Sequence, residues 1–151
     1  MSFYVIDSPI GNIGIEANND FIVEIELLTS RSSEGHLNPL LRQAETEIQL
    51  FFLGKLKHFT LPFQFKGTVF KQAVLHALLT IPYGTTVSYQ DVAIMIGHPK
   101  AYRAVGTACA TNDLPLIIPC HRVIKSDHSI GGFGARPDIK KQIIDLEKAN
   151  K

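Results

Sequence analysis

The sequence of 151 residues is poor in cysteine and has no long hydrophobic run. Its two cysteines, Cys109 and Cys120, are too few for a disulfide scaffold or for a zinc site with four cysteine ligands. No apolar run approaches the ~18 residues of a membrane-spanning helix. The beginning of the chain has neither a basic segment nor a cleavable apolar one, so we expect no signal peptide and a cytoplasmic protein with free thiols.

Metal-ligand spacing and a strong overall charge are also absent. The histidines outside position 121 show no spacing typical of metal ligands, so we expect neither a required metal nor a cofactor. The net charge is only +1, although residues 1–66 carry −3 (5 basic, 8 acidic) and residues 67–151 carry +4 (10 basic, 6 acidic). A basic second half permits a polyanion such as nucleic acid as a partner, but the asymmetry is too small to require one.

Apolar residues make up 45% of the chain, which is enough to bury a core. A length of 151 residues predicts one domain or two small ones. The first part, residues 1–66, begins with short apolar or alternating runs between turn-forming residues, which is typical of an antiparallel sheet. The predicted strands are Phe3–Asp7, Ile13–Ala17 and Phe21–Leu28.

A helix is expected after this sheet. Asn38 and Pro39 are residues that favour the N-cap and the first position of a helix, and apolar residues follow at helical spacing until Gly54. Glu45 and Glu47 lie on this helix, and we expect them on a solvated face rather than as a catalytic pair. Nothing in this first part carries a chemical signature.

The second part, residues 67–151, is expected to be mostly helical. Ser88 and Asp91 form a capping-box pattern that begins a short helix ending near Gly97. A helix over residues 100–111 follows a Gly and Pro turn, which makes a helix-turn-helix pattern of the kind that DNA-binding proteins use. This second helix is rich in small residues. Tight packing in the core is the commoner reason for them, and close approach to another surface is the alternative.

Three further segments complete this part. Thr68 predicts the start of a helix, Pro115–Ile118 is expected to be extended, and Asp138–Ala149 has the pattern of a final amphipathic helix. The predicted fold class is therefore α+β. A small N-terminal antiparallel sheet with a helix, residues 1–66, precedes a mostly helical, winged-helix-like domain with the helix-turn-helix, residues 67–151.

The candidate chemistry lies in the string Pro-Cys-His-Arg-Val at residues 119–123. A thiolate is a strong nucleophile, but a free cysteine with a pKa of ~8.5 is mostly thiol at neutral pH. The adjacent His121 and Arg122 would favour the thiolate of Cys120. On a regular strand, neighbouring side chains point to opposite faces, so His121 reaches Cys120 only through a bend or a bridging water. These residues alone leave a reactive nucleophile and a buried structural cysteine equally open.

This string belongs to a longer ordered set over about residues 67–148. The set comprises Ile81–Tyr89, Arg103–Gly106, Asn112, Ile118–Ile124 and Gly131–Phe133. It closely resembles the O6-alkylguanine-DNA alkyltransferase family of direct-reversal DNA repair proteins. Residues 1–66 resemble that family only in the kind of domain, because its members carry a small, variable α+β domain there. The resemblance implies a single-turnover methylated-DNA–protein-cysteine methyltransferase, which transfers the alkyl group of O6-alkylguanine in DNA irreversibly to Cys120.

The resemblance implies four catalytic residues. Cys120 corresponds to the acceptor, His121 to the base that activates it through a water, and Glu147 to the carboxylate that orients the histidine. Tyr89 corresponds to the residue that presses on the target phosphate and gives a proton to the leaving guanine. We expect Glu147 within reach of His121, at the edge of the stripe that the final helix buries. The predicted stripe is Ile139, Ile143 and Leu146.

The resemblance also implies a DNA-binding surface and a substrate pocket. Arg103 corresponds to the residue that fills the base stack when the guanine is flipped out, on a helix that lies in the minor groove. Ala104, Gly106 and Arg122 complete the DNA-binding set. The implied pocket residues are Asn112, Pro115, Val123, Phe133 and Gly134. The implied partner is double-stranded DNA with O6-alkylguanine, bound by a monomer with no membrane association.

Several positions depart from the pattern common in this family. Phe133 stands where tyrosine is common, Asp113 where proline is common, and Gln142 and Leu146 where tryptophan and histidine are common. They bear on the pocket and the final helix rather than on the reaction. Two other functions stay open: a helix-turn-helix DNA-binding protein whose cysteine is silent or a sensor, and a thiol hydrolase built on Cys120. Some members of the family lack this cysteine and only bind damaged DNA. The presence of Cys120 argues against placing the chain in that branch.

Overall fold

The computed structural model describes residues 1–131 and 136–151 and has the predicted α+β fold. Its residues form two compact units. The first unit is Met1–Phe65 with Asp113–Ile117, and the second is Lys66–Asn112 with Ile118–Lys151. Within the described ranges, no helix combines the length and apolar character that crossing a membrane requires.

The first unit is built on a three-stranded antiparallel sheet in the order β1 (Ser2–Ile6), β2 (Ile13–Ala17) and β3 (Ile22–Leu27). The three predicted strands are therefore confirmed within one residue at each end. The helix α1 (Pro39–Phe52) packs on β2. The side chain of Asn38 accepts a hydrogen bond from the backbone N–H of Leu41 at 2.8 Å, which confirms the predicted N-cap.

Glu47 on α1 is buried, not solvated. The backbone N–H and the hydroxyl group of Thr60 each donate a hydrogen bond to its carboxylate at 2.7 Å, and the amide of Gln43 donates a third at 2.8 Å. The expectation of a solvated face was wrong for Glu47 because a carboxylate can leave water when its oxygens are hydrogen-bonded. The chain after α1 is thereby held against the helix.

The segment Asp113–Ile117 forms a turn, so the expectation of an extended Pro115–Ile118 was wrong. Leu116 has a φ of 76°, in the left-handed region that costs a leucine about 1–2 kcal/mol. Burial of Leu114 and Leu116 offsets this cost, since both side chains are almost completely removed from solvent. The backbone oxygen of Asp113 accepts a hydrogen bond from the N–H of Ile25 at 2.8 Å, which ties the turn to β3.

The second unit is mainly helical. Its elements are α2 (Val69–Leu78), β4 (Val87–Ser88), α3 (Tyr89–Met95), α4 (Tyr102–Ala110), a 3₁₀-helix (Cys120–Arg122), β5 (Val123–Ile124) and α5 (Pro137–Ala149). Thr68 caps α2, and Ser88 and Asp91 form both hydrogen bonds of the predicted capping box. The strands β4 and β5 pair in parallel. This pairing sets the start of α3 beside the chain that leaves the 3₁₀-helix.

Candidate active site

The Cys-His-Arg sequence forms a 3₁₀-helix rather than a strand. The backbone N–H of Cys120 donates to the oxygen of Ile118 at 2.8 Å, and that of Arg122 donates to Pro119 at 3.0 Å. The alternation expected of a strand therefore does not apply, because successive residues of a 3₁₀-helix are about a third of a turn apart. All three side chains are buried, and His121 has no exposed surface.

Glu147 on α5 joins three parts of the second unit. One carboxylate oxygen, Oε2, lies 2.7 Å from Nε2 of His121, as expected from the sequence. Arg122 donates from Nε to Oε1 and from Nη2 to Oε2, both at 2.8 Å, and the N–H of Gly84 donates to Oε1 at 3.4 Å. Burial raises the pKa of Glu147, but the hydrogen bonds from His121 and Arg122 outweigh it and lower the pKa to about 2. This carboxylate is therefore ionised.

The arrangement determines the state of His121. Burial lowers the pKa of His121 more than the Glu147 carboxylate raises it, so the ring is neutral at pH 7. A carboxylate only accepts hydrogen bonds, so Nε2 carries the hydrogen and donates it to Glu147. In this tautomer Nδ1 is the ring nitrogen that can receive a proton.

Arg122 is buried in the second unit and does not present its guanidinium group to solvent. In addition to its two hydrogen bonds to Glu147, it donates from Nη1 to the backbone oxygen of Ile81 at 2.7 Å. This placement contradicts the expectation that Arg122 contacts DNA. In the sequence alone, an arginine close to Cys120 fits a DNA contact as well as it fits a buried ion pair.

The helix α5 buries a wider stripe than the sequence pattern suggested. Glu147 lies inside this stripe rather than at its edge, with only 1% of its surface exposed. Leu146, which the pattern placed in the stripe, is half-buried at the edge. The buried residues are Ile139, Lys140, Ile143, Ile144 and Glu147. The two charged members were misjudged because each is buried through a polar contact, and hydropathy patterns do not register polar contacts.

Cys120 is almost completely buried, and burial raises the pKa of its thiol. A hydrogen bond from the Asn112 side chain, the positive charge of Lys140 and the backbone N–H groups of Cys120 and His121 all act in the opposite direction. Asn112 also donates from Nδ2 to the backbone oxygen of Ile118 at 3.0 Å. Asn112 thus holds the chain that leads into the 3₁₀-helix while supporting negative charge on the sulfur.

Tyr89 is the first residue of α3, immediately after β4. Burial raises the pKa of its hydroxyl group to about 12, so the group is protonated at neutral pH. Lys140 donates a hydrogen bond from Nζ to Oη of Tyr89 at 3.3 Å. A Cβ atom at Gly106 would lie 3.9 Å from the Tyr89 ring, so α4 passes close to this ring.

The helix α4 turns small residues, one cation and the side chain of Tyr102 to solvent. Arg103 and Ala104 near its start are exposed, as are Thr107 and Ala110 one and two turns later, whereas Gly106 is half-buried. Val105, Ala108 and Cys109 form the opposite, buried face. The small residues are therefore divided between the two faces, since Ala108 packs inside the unit whereas Ala104, Thr107 and Ala110 are exposed.

Two family models cover almost the whole chain. The DNA binding domain of 6-O-methylguanine DNA methyltransferase matches residues 69–149, and the ribonuclease-like domain of the same family matches residues 1–65. The chain belongs to the 6-O-methylguanine DNA methyltransferase family. The family expected from the order of short strings in the sequence is therefore confirmed.

Relatives in this family match the chain along its full length. A constitutive methylated-DNA–protein-cysteine methyltransferase of Bacillus subtilis is 38% identical over 159 residues, covering 98% of this chain and 96% of its own. A methylated-DNA–protein-cysteine methyltransferase of Methanosarcina barkeri is 37% identical over 156 residues, covering 99% of each chain. A crystal structure of Mycobacterium tuberculosis OGT in complex with DNA has a TM-score of 0.89 and 36% identity, covering 98% of this chain and 93% of that one.

The remaining pocket residues implied by the family resemblance do not all lie in the same part of the structure. Val123 is fully buried in β5, directly after the 3₁₀-helix. Pro115 belongs to the turn of the first unit, so the geometry of the second unit does not bear on its role. Phe133 and Gly134 lie outside the described residues. No group of three or more potential metal ligands occurs in the part of the chain that the structure describes.

Lys140 is the site residue that sequence reasoning missed. It is 1% exposed and lies beside Tyr89, within electrostatic range of Cys120. One signal was available in the sequence. Lys140 precedes Glu147 by seven residues, which is almost two turns, so the two side chains share a face of the helix. A lysine on the same face as a predicted catalytic carboxylate was a candidate for the site.

Proposed function

We propose that this protein repairs O6-alkylguanine in double-stranded DNA by transferring the alkyl group to Cys120, once per chain. The observation that carries the proposal is the buried thiol next to His121, whose Nε2 is hydrogen-bonded to Glu147, in a member of the 6-O-methylguanine DNA methyltransferase family. Cys120 is the acceptor, His121 the base and Glu147 the group that orients the base. The reaction needs a free thiol and so suits a reducing compartment such as the cytoplasm.

The first step is removal of the thiol proton. The neutral ring of His121 takes it at Nδ1 through a bridging water, and the resulting imidazolium is stabilised by the ionised Glu147 carboxylate. The Cys120 thiolate then attacks the alkyl carbon. A carbon–sulfur bond forms as the bond between that carbon and O6 breaks, so the cysteine becomes a thioether. A thioether offers no hydrolytic way back to the thiol, which limits each chain to one event.

The second requirement is a proton for the guanine, which leaves as an anion. The Tyr89 hydroxyl group is protonated at neutral pH because burial raises its pKa to about 12. We assign to Tyr89 the donation of this proton to the guanine, in addition to contact with the target phosphate. Asn112 supports the thiolate at the same time. We assign Val123 to the wall of the pocket for the base, because it directly follows the 3₁₀-helix.

The third requirement is access to a base that is stacked inside the duplex. Extruding it costs a few kcal/mol, and the gap must be filled. We propose that α3 and α4 act as a helix-turn-helix whose α4 lies in the minor groove. Ala104 and Gly106 allow close approach, and the exposed Arg103 fills the stack. This mode of binding reads little sequence, which suits a repair protein acting as a monomer.

We propose that these roles follow the division after residue 66 that was expected from the sequence. We assign DNA binding and alkyl acceptance to residues 67–151, and we regard residues 1–66 as an accessory α/β domain. The family match of the second part to a DNA binding domain supports this division. All four proposed catalytic residues lie in the second part.

Intact-mass measurement after incubation with an O6-methylguanine duplex tests the proposal. We expect the mass to rise by one methyl group, located after proteolysis on the peptide that contains Cys120. An unmethylated duplex is the control. Unchanged protein that still binds the damaged duplex would indicate a DNA-binding protein with a silent cysteine, and release of methanol with turnover would indicate a thiol hydrolase.

Replacing Arg103 with alanine is expected to slow repair of duplex DNA roughly tenfold or more, because a gap left in the base stack destabilises the extruded state. Reaction with the free base O6-benzylguanine should change much less, because that substrate needs no extrusion. Single-turnover rates on the two substrates, measured by mass, check the split. Arg42→Ala removes an exposed arginine from α1 and should change neither rate. Equal losses on both substrates would show that Arg103 supports the fold or the pocket instead.

A further inference from the structure

The turn between α3 and α4 is bordered by exposed hydrophobic side chains. Among the residues that the structure describes, seven large hydrophobic side chains are exposed, and three of them lie here. Ile94 and Met95 end α3, and Tyr102 begins α4. Backbone hydrogen bonds of 2.9 Å join His98 in the turn to both helix ends, so the three residues belong to one region. Single exposed hydrophobic residues are ordinary, whereas a group of them indicates a contact surface.

Tyr102 continues the side of α4 that leads to the proposed site. It precedes Gly106 by four residues and Cys109 by seven, so the three lie on one side of the helix. Cys109 is buried, and Gly106 is half-buried beside the ring of Tyr89, where a Cβ atom would lie 3.9 Å from that ring. Side chains of a helix lean towards its N-terminus. The ring of Tyr102, which is 45% exposed, therefore extends this side beyond the covered part of α4.

The charged residues next to Tyr102 in the chain are all basic. Lys100 and Arg103 are exposed within two residues of it, and residues 92–112 contain neither aspartate nor glutamate. A hydrophobic surface with cations beside it fits a polyanion that also has apolar parts. The backbone of DNA has this chemistry, because deoxyribose rings alternate with phosphates. Tyrosine is among the side chains that bind phosphate and sugar in protein–DNA complexes.

We propose that Tyr102 is a further DNA-binding residue, whose ring packs on a deoxyribose of the damaged strand and whose hydroxyl group donates a hydrogen bond to the adjoining phosphate. The inference rests on the proposed function, because it takes α4 as the helix that lies against DNA. Tyr89 is proposed to contact the target phosphate, and Tyr102 lies on the same side of α4, about one helix turn beyond Gly106. Tyr102 therefore meets the same strand as Tyr89.

This contact gives Tyr102 a task that differs from that of Arg103. Arg103 is proposed to fill the stack after extrusion, whereas Tyr102 holds the start of α4 against the backbone beside the gap. Contacts to sugar and phosphate fix the register of a protein on the duplex and carry no sequence information. Tyr102 therefore strengthens binding to any duplex, which suits a protein that must find a damaged base in every sequence.

Binding of an O6-methylguanine duplex at several salt concentrations tests the inference. Fluorescence anisotropy of a labelled duplex gives the Kd, and Cys120→Ser protein is used throughout so that no transfer intervenes. We expect Tyr102→Ala to raise the Kd about tenfold, and Tyr102→Phe to raise it about threefold, because the ring is kept and one neutral hydrogen bond is lost. Both changes remove neutral groups, so the slope of log K against log salt should not change. Lys100→Ala should instead reduce the steepness of that slope by about one.

Transfer rates separate a DNA contact from a defect of the fold. In protein that retains Cys120, Tyr102→Ala should slow repair of a dilute duplex about tenfold. Reaction with the free base O6-benzylguanine should change much less, because that substrate has no backbone to contact. Val69→Ala removes an exposed hydrophobic side chain from the start of α2 and is the matched control, with both rates as in the wild type.

Three results would overturn this inference alone. They are an unchanged Kd in Tyr102→Ala, an equal loss of reaction with O6-benzylguanine, and a less steep salt slope, which would show that the change acts through a cation such as Arg103. Wild-type protein that binds the duplex but accepts no methyl group contradicts the proposed function instead. The binding measurements still decide the role of Tyr102 in that case.

Discussion

Replacing Cys120 with serine is expected to abolish methyl transfer from O6-methylguanine DNA. The side chains of serine and cysteine are similar in shape. However, a serine hydroxyl group is a weak nucleophile that His121 alone cannot ionise to a useful extent. The measurement is the mass of the protein after prolonged incubation with a methylated duplex, and we expect no methylated variant at any time. Binding to the same duplex should be nearly unchanged, because α3 and α4 are untouched.

Cys109 provides the matched control for this experiment. It is the second thiol of the chain, and burial raises its pKa to about 12, so it is not ionised at neutral pH. Cys109→Ser should therefore accept one methyl group as the wild type does. Methyl groups found on Cys109, or transfer that survives in Cys120→Ser, would contradict the assignment of the acceptor.

Replacing Glu147 with glutamine is expected to slow transfer by ~10²-fold or more and to destabilise the protein by about 3 kcal/mol. The amide keeps the shape of the carboxylate but loses its charge and turns an N–H donor towards the donors of His121 or Arg122. Such a pair cannot form a hydrogen bond, and the guanidinium group is left buried without its counter-ion. Single-turnover rates and unfolding by urea measure the two effects separately.

Asp145→Asn is the matched control for Glu147→Gln. Asp145 lies on the same helix, where its ion pair with Lys141 is more than half exposed. Exposed pairs of this kind contribute about 0–1 kcal/mol, so stability and rate should be close to those of the wild type. A Gln variant that is less stable but transfers methyl groups at the normal rate would show that Glu147 serves the fold and does not orient His121.

Local rules were sufficient where each residue's neighbours in sequence determine its structure. The start of α1 followed from Asn38 and Pro39, and the start of α3 from Ser88 and Asp91, because a cap is completed within three residues. The strand predictions in the first part held because short apolar or alternating runs are separated there by turn-forming residues. The contact of Glu147 with His121 was anticipated through the family resemblance rather than from local pattern.

Long-range polar pairing was the part that the sequence did not reveal. Glu47 is buried because Thr60 donates to it, and Arg122 is buried because Glu147 and the oxygen of Ile81 accept from it. Charged residues count as surface in any hydropathy pattern until their partners are known. The same limit hid Lys140, whose burial depends on Tyr89, 51 positions away.

The path of the chain through the two units has a consequence for dissecting the protein. Residues 113–117 belong to the first unit, while residues on both sides of them belong to the second. The chain therefore passes between the units three times, and no single cut separates them. A fragment beginning at residue 66 would carry Leu114 and Leu116 without the unit that buries them, just ahead of Cys120. Truncation at residue 66 therefore alters more than the first unit alone, and it is not a clean test of what that unit does.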